Sequence, residues 1–500
     1  MPNERPSSEE QDLITGSGFR FDTQYTQLPS VFYRLGDPSH APQPKVVVVN
    51  DSLAQELGLR LESLASETKA ALFSGQILPN GSIPFSQAYA GHQFGGFTML
   101  GDGRAHVLGE HLTPTGRRVD IQLKGSGRTP YSRGGDGRAT LGPMLREYVI
   151  SEAMAALNVP TTRSLAVVTT GARVLRDQPL PGAILTRVAA SHIRIGTFEF
   201  AAALDEPKHL RQLLNHAVDR HYPELARASS PALALWDVVA KRQAALVAAW
   251  MRVGFVHGVM NTDNVTLSGE TIDYGPCAFI DSYAAATVFS SIDEGGRYAF
   301  GNQPWIARWN LARFAETLLP LIDDSRSRAV AIAEERLAQF QTWMNEAWTE
   351  MMRDKLGLPG QREDDRSLAT DLLELMEETS ADYTNTFRAL SAAAVLPPEL
   401  ERARGWEAWR ARWDARCERA RGDEPGAAAR DRMRHANPAI IPRNYLVEEA
   451  LDAAVESADL GPFQRLVAAV QTPYEEQPDL APFQAPPPDS FRNYQTFCGT

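Results

Sequence analysis

HGVMNTDNVTLSGETIDYG, residues His257–Gly275, sets the problem. Asp263 and Asn264 stand side by side, a short Val-Thr-Leu run and a turn follow, and then come Asp273, Tyr274 and Gly275. The pattern predicts a two-stranded hairpin with Asn264 before its first strand and Asp273 after its second. In that geometry both side chains converge on one spot. Their hard oxygens suit Mg2+ or Mn2+, with positions left over for water and nucleotide phosphates. A plain polar turn would read much the same, so the stretch needs partners elsewhere in the chain.

A kinase holds its metals with a catalytic-loop Asn and the Asp of D-F-G, and Asp273-Tyr274-Gly275 stands in that place. Such a site also needs a strand Lys paired with a Glu from the following helix. Lysine occurs only at Lys45, Lys69, Lys124, Lys208, Lys241 and Lys355. Lys124 closes the strand-like run RVDIQLK, and the helix expected from about 141 offers Glu147, with Glu152 as competitor. No G-x-x-x-x-G-K-[ST] is present, but GDGRA occurs at 101–105 and again at 135–139. Each copy offers flexible glycines, free backbone N–H groups and an Arg to a phosphate. HGVMNTDN lies on the H-G-D-x-x-x-x-N loop of aminoglycoside-type kinases. Asn264 falls on the metal Asn, and Val259 falls where the catalytic Asp should be. Valine accepts no proton. Either the chain is a dead kinase or its base has moved, and Asp263 is the replacement on the same loop.

The rest of the chain is consistent with an intracellular enzyme. Its 500 residues suffice for two or three domains, and a formal charge of -12 argues against nucleic-acid or membrane-surface binding. No signal-peptide pattern and no run near ~20 apolar residues is seen. A cytoplasmic monomer is expected. Three cysteines, Cys277, Cys417 and Cys498, form neither a disulfide framework nor a zinc spacing. A strand is expected at 45–50, then a helix capped by Asp51 or Ser52. Strands are expected at 105–112, 117–125, 166–170 and 182–189, and a helix capped by Thr140 runs to about 157. From about 205 the chain turns helical, including one charged helix over 399–422 with Trp406, Trp409 and Trp413 as a packing edge. The fold class is α+β, a protein-kinase-like bilobal fold. It divides into a β-rich N-terminal lobe (1–195), a large helical C-terminal lobe (196–470) and an extended Pro-rich tail (471–500).

Long blocks carry a family resemblance. FDTQYTQLPSVFY, SQAYAGHQFGGFTMLGDGRA, DIQLKGSGRTPYSRGGDGRATLGPMLREYVISEAM, HGVMNTDN, TIDYGP and NPAIIPRNYLVEEA span nearly the whole chain. Together they resemble the selenoprotein O family (SelO, also YdiU) of kinase-like protein adenylyltransferases. The resemblance implies ATP bound flipped relative to a kinase, with AMP passed to a Ser, Thr or Tyr hydroxyl of a target protein and pyrophosphate released. It implies that Lys124 contacts phosphate and pairs with Glu147. Gly101, Gly103, Arg104, Asp136 and Gly137 would line the nucleotide, and Arg187 and Arg194 would hold the β- and γ-phosphates. Asp263 would be the proton acceptor, and Asn264 and Asp273 would bind Mg2+ or Mn2+, with Asp273 also at the ATP. It also suggests a regulatory Cys277–Cys498 disulfide across the active-site region. An ATP-binding pseudokinase scaffold and UMP transfer from UTP remain as alternatives.

Overall fold

The computed structural model describes residues 16–204, 206–392, 396–418, 426–491 and 494–496. Its N-terminal half is built on one antiparallel sheet. The strands are β1 (Tyr33–Leu35), β2 (Lys45–Val49), β3 (Phe85–Gln87), β4 (Ala90–Gln93), β5 (Gly96–Met99), β6 (Ala105–Leu112), β7 (Arg118–Lys124), β8 (Ala139–Thr140), β9 (Arg163–Leu175) and β10 (Pro179–Ala189). The main sheet runs β1-β3-β6-β7-β10-β9-β2, with β8 on β10, while β4 and β5 form a separate two-stranded hairpin.

Alternation along the strands sorts side chains onto two faces. Leu108, Ile121, Leu123, Val168 and Ile184 enter one core with Leu53, Leu57, Leu72 and Phe73 from the helices Asp51–Leu57 and Ser66–Phe73. Val107, Val167 and Leu185 enter the other, with Met144, Leu145 and Tyr148 of the helix Leu141–Ala156. Lys124 follows Leu123, so it falls on the face of that helix. Register pairs Lys124 with Leu185 and Gln122 with Arg187. The same alternation therefore puts Arg187 beside Lys124.

The C-terminal half is helical. Pro231–Val253, Gln303–Ile322 and Arg326–Leu356 pack together around buried Trp236, Phe314 and Phe340. No helix among the described residues is long and apolar enough to cross a membrane.

Several local expectations change. The first helix is capped by Asn50, whose side chain accepts from Leu53 N–H at 3.1 Å, not by Asp51 or Ser52. Thr140 occupies the N-cap position of its helix without a side-chain cap bond. The helix expected over 399–422 is interrupted: Pro398–Glu401 and Trp406–Glu418 are separated by Gly405 at φ 113°. Its three tryptophans are buried and stacked in series, as a packing edge. The tail is not simply extended, since short turns form at Pro478–Leu480, Ala481–Gln484 and Asp489–Phe491. The first two carry proline in the first turn, where its missing N–H costs no bond.

The largest correction falls on the opening stretch. Val265–Leu267 forms no strand ladder with its own return segment; they meet at a turn, where Thr266 Oγ1 donates to Glu270 O at 2.7 Å and accepts from Glu270 N–H at 3.0 Å. Ile195 N–H donates to Val265 O at 2.9 Å, Leu267 N–H donates to Ile193 O at 3.0 Å, and Arg194 bridges Thr266. The return segment goes elsewhere: Thr162 N–H donates to Thr271 O, and Thr271 N–H to Pro160 O, both at 2.9 Å. The expected hairpin is replaced by two threads, each stitched to the N-terminal half.

Candidate active site

Both threads end at a cavity of about 1730 Å3 between the halves. Gly101, Gly103, Arg104, Lys124, Asp136, Gly137, Glu147, Arg187, Arg194, Asp263, Asn264 and Asp273 all line it.

At its centre Lys124 Nζ donates to Glu147 Oε2 at 2.7 Å and to Asp273 Oδ1 at 2.5 Å. Arg187 Nε donates to Glu147 Oε1 at 2.7 Å, Nη1 to Gln122 Oε1 at 3.2 Å and Nη2 to Asp273 Oδ1 at 3.2 Å. Burial alone would raise both carboxyls. The Arg187 and Lys124 charges outweigh it, holding Glu147 below and Asp273 well below the usual carboxylate range. Burial opposes the Arg187 charge in turn, yet Glu147 and Asp273 leave it more firmly protonated than a free guanidinium. Two cationic and two anionic side chains are thus joined in one knot. Glu152, the competitor, turns instead to Arg163, at 2.7 and 2.9 Å, and to Asn50 at 2.7 Å.

Asp273 sits at φ 66°, a left-handed conformation that Asp tolerates better than most residues. Both cations engage Oδ1, and 39% of the side chain stays open. Asn264 Nδ2 donates to Val259 O at 2.9 Å, which fixes the amide. The donor set tests the metal reading. Among the described residues no group of three His, Cys, Asp or Glu side chains could hold an ion. Asp273 Oδ2 and Asn264 Oδ1 take no hydrogen bond there, so two hard oxygens are available on one cavity, and they fit Mg2+ or Mn2+ that draws its remaining ligands from phosphate and water.

Asp263 is placed differently. Its side chain is buried, and Oδ1 has no hydrogen-bond partner among the described residues. Burial, only partly offset by Arg194, pushes its carboxyl up to about 6. Gly91 of β4 packs directly against it: a Cβ there would lie 2.3 Å from Oδ1, so no side chain fits. Arg194 is buried, with its guanidinium 4.3 Å from the Tyr89 ring centre and Nη1 donating to Asp263 O at 3.1 Å.

The two GDGRA copies both line the cavity but differ in their surroundings. Asp102 is buried and accepts from Gln87 N–H at 3.0 Å. Asp136 is more open and binds Arg176 at 3.0 Å. Gly101, at φ 151°, lies under Tyr131, where a Cβ would come 2.4 Å from the ring.

Cys277 is a free, buried thiol that burial pushes up to about 12, and Cys498 lies outside the described residues. The tail is nonetheless held beside Cys277. Thr496 N–H donates to Phe289 O at 2.8 Å and its Oγ1 to Pro276 O at 2.9 Å, while Tyr494 bonds Arg146 at 2.9 Å and also Glu448. No disulfide contributes among the described residues.

Sequence reasoning missed a second layer. Thr262 Oγ1 donates to Glu199 Oε2 at 2.6 Å and accepts from His92 N–H at 2.7 Å. His92 Nδ1 meets Glu199 Oε1 at 2.6 Å, and Asn261 Oδ1 accepts from Phe94 N–H at 3.1 Å and Tyr298 O–H at 2.6 Å. These residues fasten the β4–β5 hairpin to the loop that carries Asp263. Their spacing in sequence gives no signal, although His92 lies inside one of the blocks that carry the family resemblance.

The profile of the family described as protein adenylyltransferase SelO matches residues 17–471. The chain belongs to the SelO family. Its curated SelO relatives include proteins named protein nucleotidyltransferase YdiU. That of Syntrophotalea carbinolica is 54% identical over 98% of this chain and 99% of its own. Those of Geobacillus kaustophilus and Anoxybacillus flavithermus are 54% and 55% identical, each over 97% of this chain and 100% of its own. SelO membership makes the chain an enzyme of the nucleotidyltransferase class. Among solved structures, ROP2 from Toxoplasma gondii is titled a virulence factor with a protein-kinase fold and no enzymatic activity. It matches 66% of this chain and 86% of its own at 11% identity and a TM-score of 0.23, too low to carry an argument.

Proposed function

We propose that this chain transfers AMP from ATP to Ser, Thr or Tyr hydroxyls of proteins and releases pyrophosphate. The observation that carries the reading is Asp263: a buried carboxylate that lines the cavity beside the Lys124–Glu147–Arg187–Asp273 knot, its Oδ1 packed on Gly91 and without a hydrogen-bond partner among the described residues, on a loop with Val259 in the usual base position. In this reading ATP lies with its α-phosphate toward Asp263. The acceptor hydroxyl gives its proton to the Asp263 carboxylate, whose raised affinity for protons suits that task. The hydroxyl oxygen bonds to the α-phosphorus, the bridge to the β-phosphorus breaks, and its electron pair leaves with pyrophosphate. Lys124, Arg187 and Arg194 balance the phosphate charge, and Arg forks suit phosphate oxygens. Gly101, Gly103, Arg104, Asp136 and Gly137 line the nucleotide. Asn264 and Asp273 would hold Mg2+ or Mn2+, which would neutralise charge on the phosphates.

Labelled ATP tests this. Label from the α position on protein is expected, with pyrophosphate released in equal amount. Label from the γ position would mean phosphorylation and overturn the reading. Nucleotide binding with neither label would mean a scaffold. Transfer from α-labelled UTP in preference to ATP would change the donor and keep the chemistry.

A further inference from the structure

The β4–β5 hairpin is fastened to the 261–264 loop through β4 and the turn after it. His92 N–H donates to Thr262 and Phe94 N–H to Asn261, and Gly91 lies on the Asp263 carboxylate. His92 faces Phe97, and Ala90 faces Met99. Because His92 N–H points away from β5, the His92–Phe97 pair exchanges no ladder bonds, and by alternation neither does Ala90–Met99. The N–H and C=O groups of Phe97 and Met99 therefore face outward along the far side of β5. Among the described residues no third strand covers that side. Proteins usually blunt an open edge with Lys, Pro, a bulge or a covering segment, and Gly96–Met99 carries none of these.

The side chains around the edge are apolar and exposed. Phe94, Phe97, Met99 and Trp305 are 41%, 49%, 45% and 54% exposed. They join through packed rings: Phe97 on His92 at 5.3 Å, His92 on Trp309 at 5.4 Å and Phe94 on Tyr298 at 5.2 Å. The Arg297 guanidinium lies 4.8 Å from Trp309 and 5.7 Å from Trp305. Single exposed apolar residues need no explanation, but this cluster adjoins an open strand edge and a catalytic loop. Aromatic, Met and Arg side chains are also what protein interfaces concentrate.

We propose that the β5 edge docks the acceptor. An extended stretch of the acceptor polypeptide adds to Gly96–Met99 as a third strand, with apolar side chains at alternate positions against Phe97 and Met99. The continuing chain turns its hydroxyl in at Asp263. The added strand would lie about 4.8 Å beyond β5, and its main-chain bonds would supply affinity while alternate side chains supply selectivity. The inference rests on the AMP-transfer reading and names what that site accepts.

The probes are synthetic dodecapeptides with one serine followed by valine and leucine at alternate positions. They are compared with copies N-methylated on one or the other alternate set of backbone amides. For the wild type, one methylated copy is expected to show a KM about tenfold or more higher than the parent peptide. Met99→Pro removes an outward N–H while leaving the hairpin ladder whole, and Phe97→Ser removes an apolar anchor. Each is expected to raise the parent peptide's KM by a similar factor, with the KM for ATP as in the wild type. A peptide KM that stays within about twofold on methylation and in both variants would overturn the docking. So would failure to label any peptide by an enzyme that still labels itself from α-labelled ATP. No α-label on any protein or peptide would instead remove the transfer reading, and the docking with it.

Discussion

Asp273 and Asp263 are carboxylates on one cavity, the first partly open and the second buried, and their surroundings drive them apart. Asp273 faces two cations and stays ionised, whereas Asp263 faces mainly desolvation and holds a proton up to about 6. A fixed anion beside a carboxyl of raised proton affinity is the division that the proposed transfer needs. Asp273→Ala removes one of the two carboxylates that both cations share and, in the proposed reading, a metal ligand. Transfer should fall about a thousandfold or more, roughly 4 kcal/mol of transition-state stabilisation. Activity near the wild type, measured with α-labelled ATP, would take Asp273 out of the site. Asp263→Asn keeps the shape and loses the base, so kcat should fall at least about a hundredfold. ATP affinity, read by equilibrium titration, should hold. Lys124 and Glu147 were legible because this chain seldom writes Lys, and because strand and helix periods put the two within reach. Arg187 was not legible from its own surroundings. Arg is common here, and its place follows from the β7–β10 register, which no local pattern encodes.

Among elements, β2, β6, β7, β9, β10 and the helix Leu141–Ala156 followed from hydrophobic period, the short strands β1, β3 and β8 did not, and the 257–275 stretch misled. Polar residues flanking a short apolar run do suggest a hairpin, but Val265–Leu267 finds better partners in Ile193–Ile195. A local rule lost to tertiary pairing. The β4–β5 hairpin gives the same lesson in reverse, since its strands are regular and its function lies in what they touch. Thr262→Val tests that link. Its hydroxyl binds both His92 N–H and Glu199, and the change leaves buried polar groups unpaired. A stability loss of about 1–3 kcal/mol is expected from thermal unfolding. Single-turnover transfer should slow about tenfold, since catalysis is sensitive to small misplacement of the loop. Unchanged turnover at lowered stability would make the tether purely structural.

At the scale of the whole molecule, the 257–275 segment is one of the places where the two halves meet, and one titrating group lies in that seam. Glu270 Oε2 accepts from Ala190 N–H at 2.9 Å, joining the end of β10 to the loop before Asp273. Burial pushes its carboxyl up to about 7, against the Ala190 and Ser268 hydrogen bonds that favour the anion and with the Asp120 charge that opposes it. The sign follows from proton counting. Between the unfolded value near 4.5 and the folded value near 7, the folded chain binds more protons, so its stability falls as pH rises. The contribution is whole below about 4.5 and is lost on passing 7, with a size of about 1–3 kcal/mol. Glu270→Gln keeps an oxygen for Ala190 N–H and cannot titrate. Relative to the wild type, the variant should therefore gain stability steadily from pH 5 to pH 8, read as the difference in denaturation midpoints at each pH. A constant difference across that range would show that Glu270 carries the same charge in the folded and unfolded chain. In that case the seam between the halves would not respond to protons, and any pH effect on transfer would have to arise within the cavity.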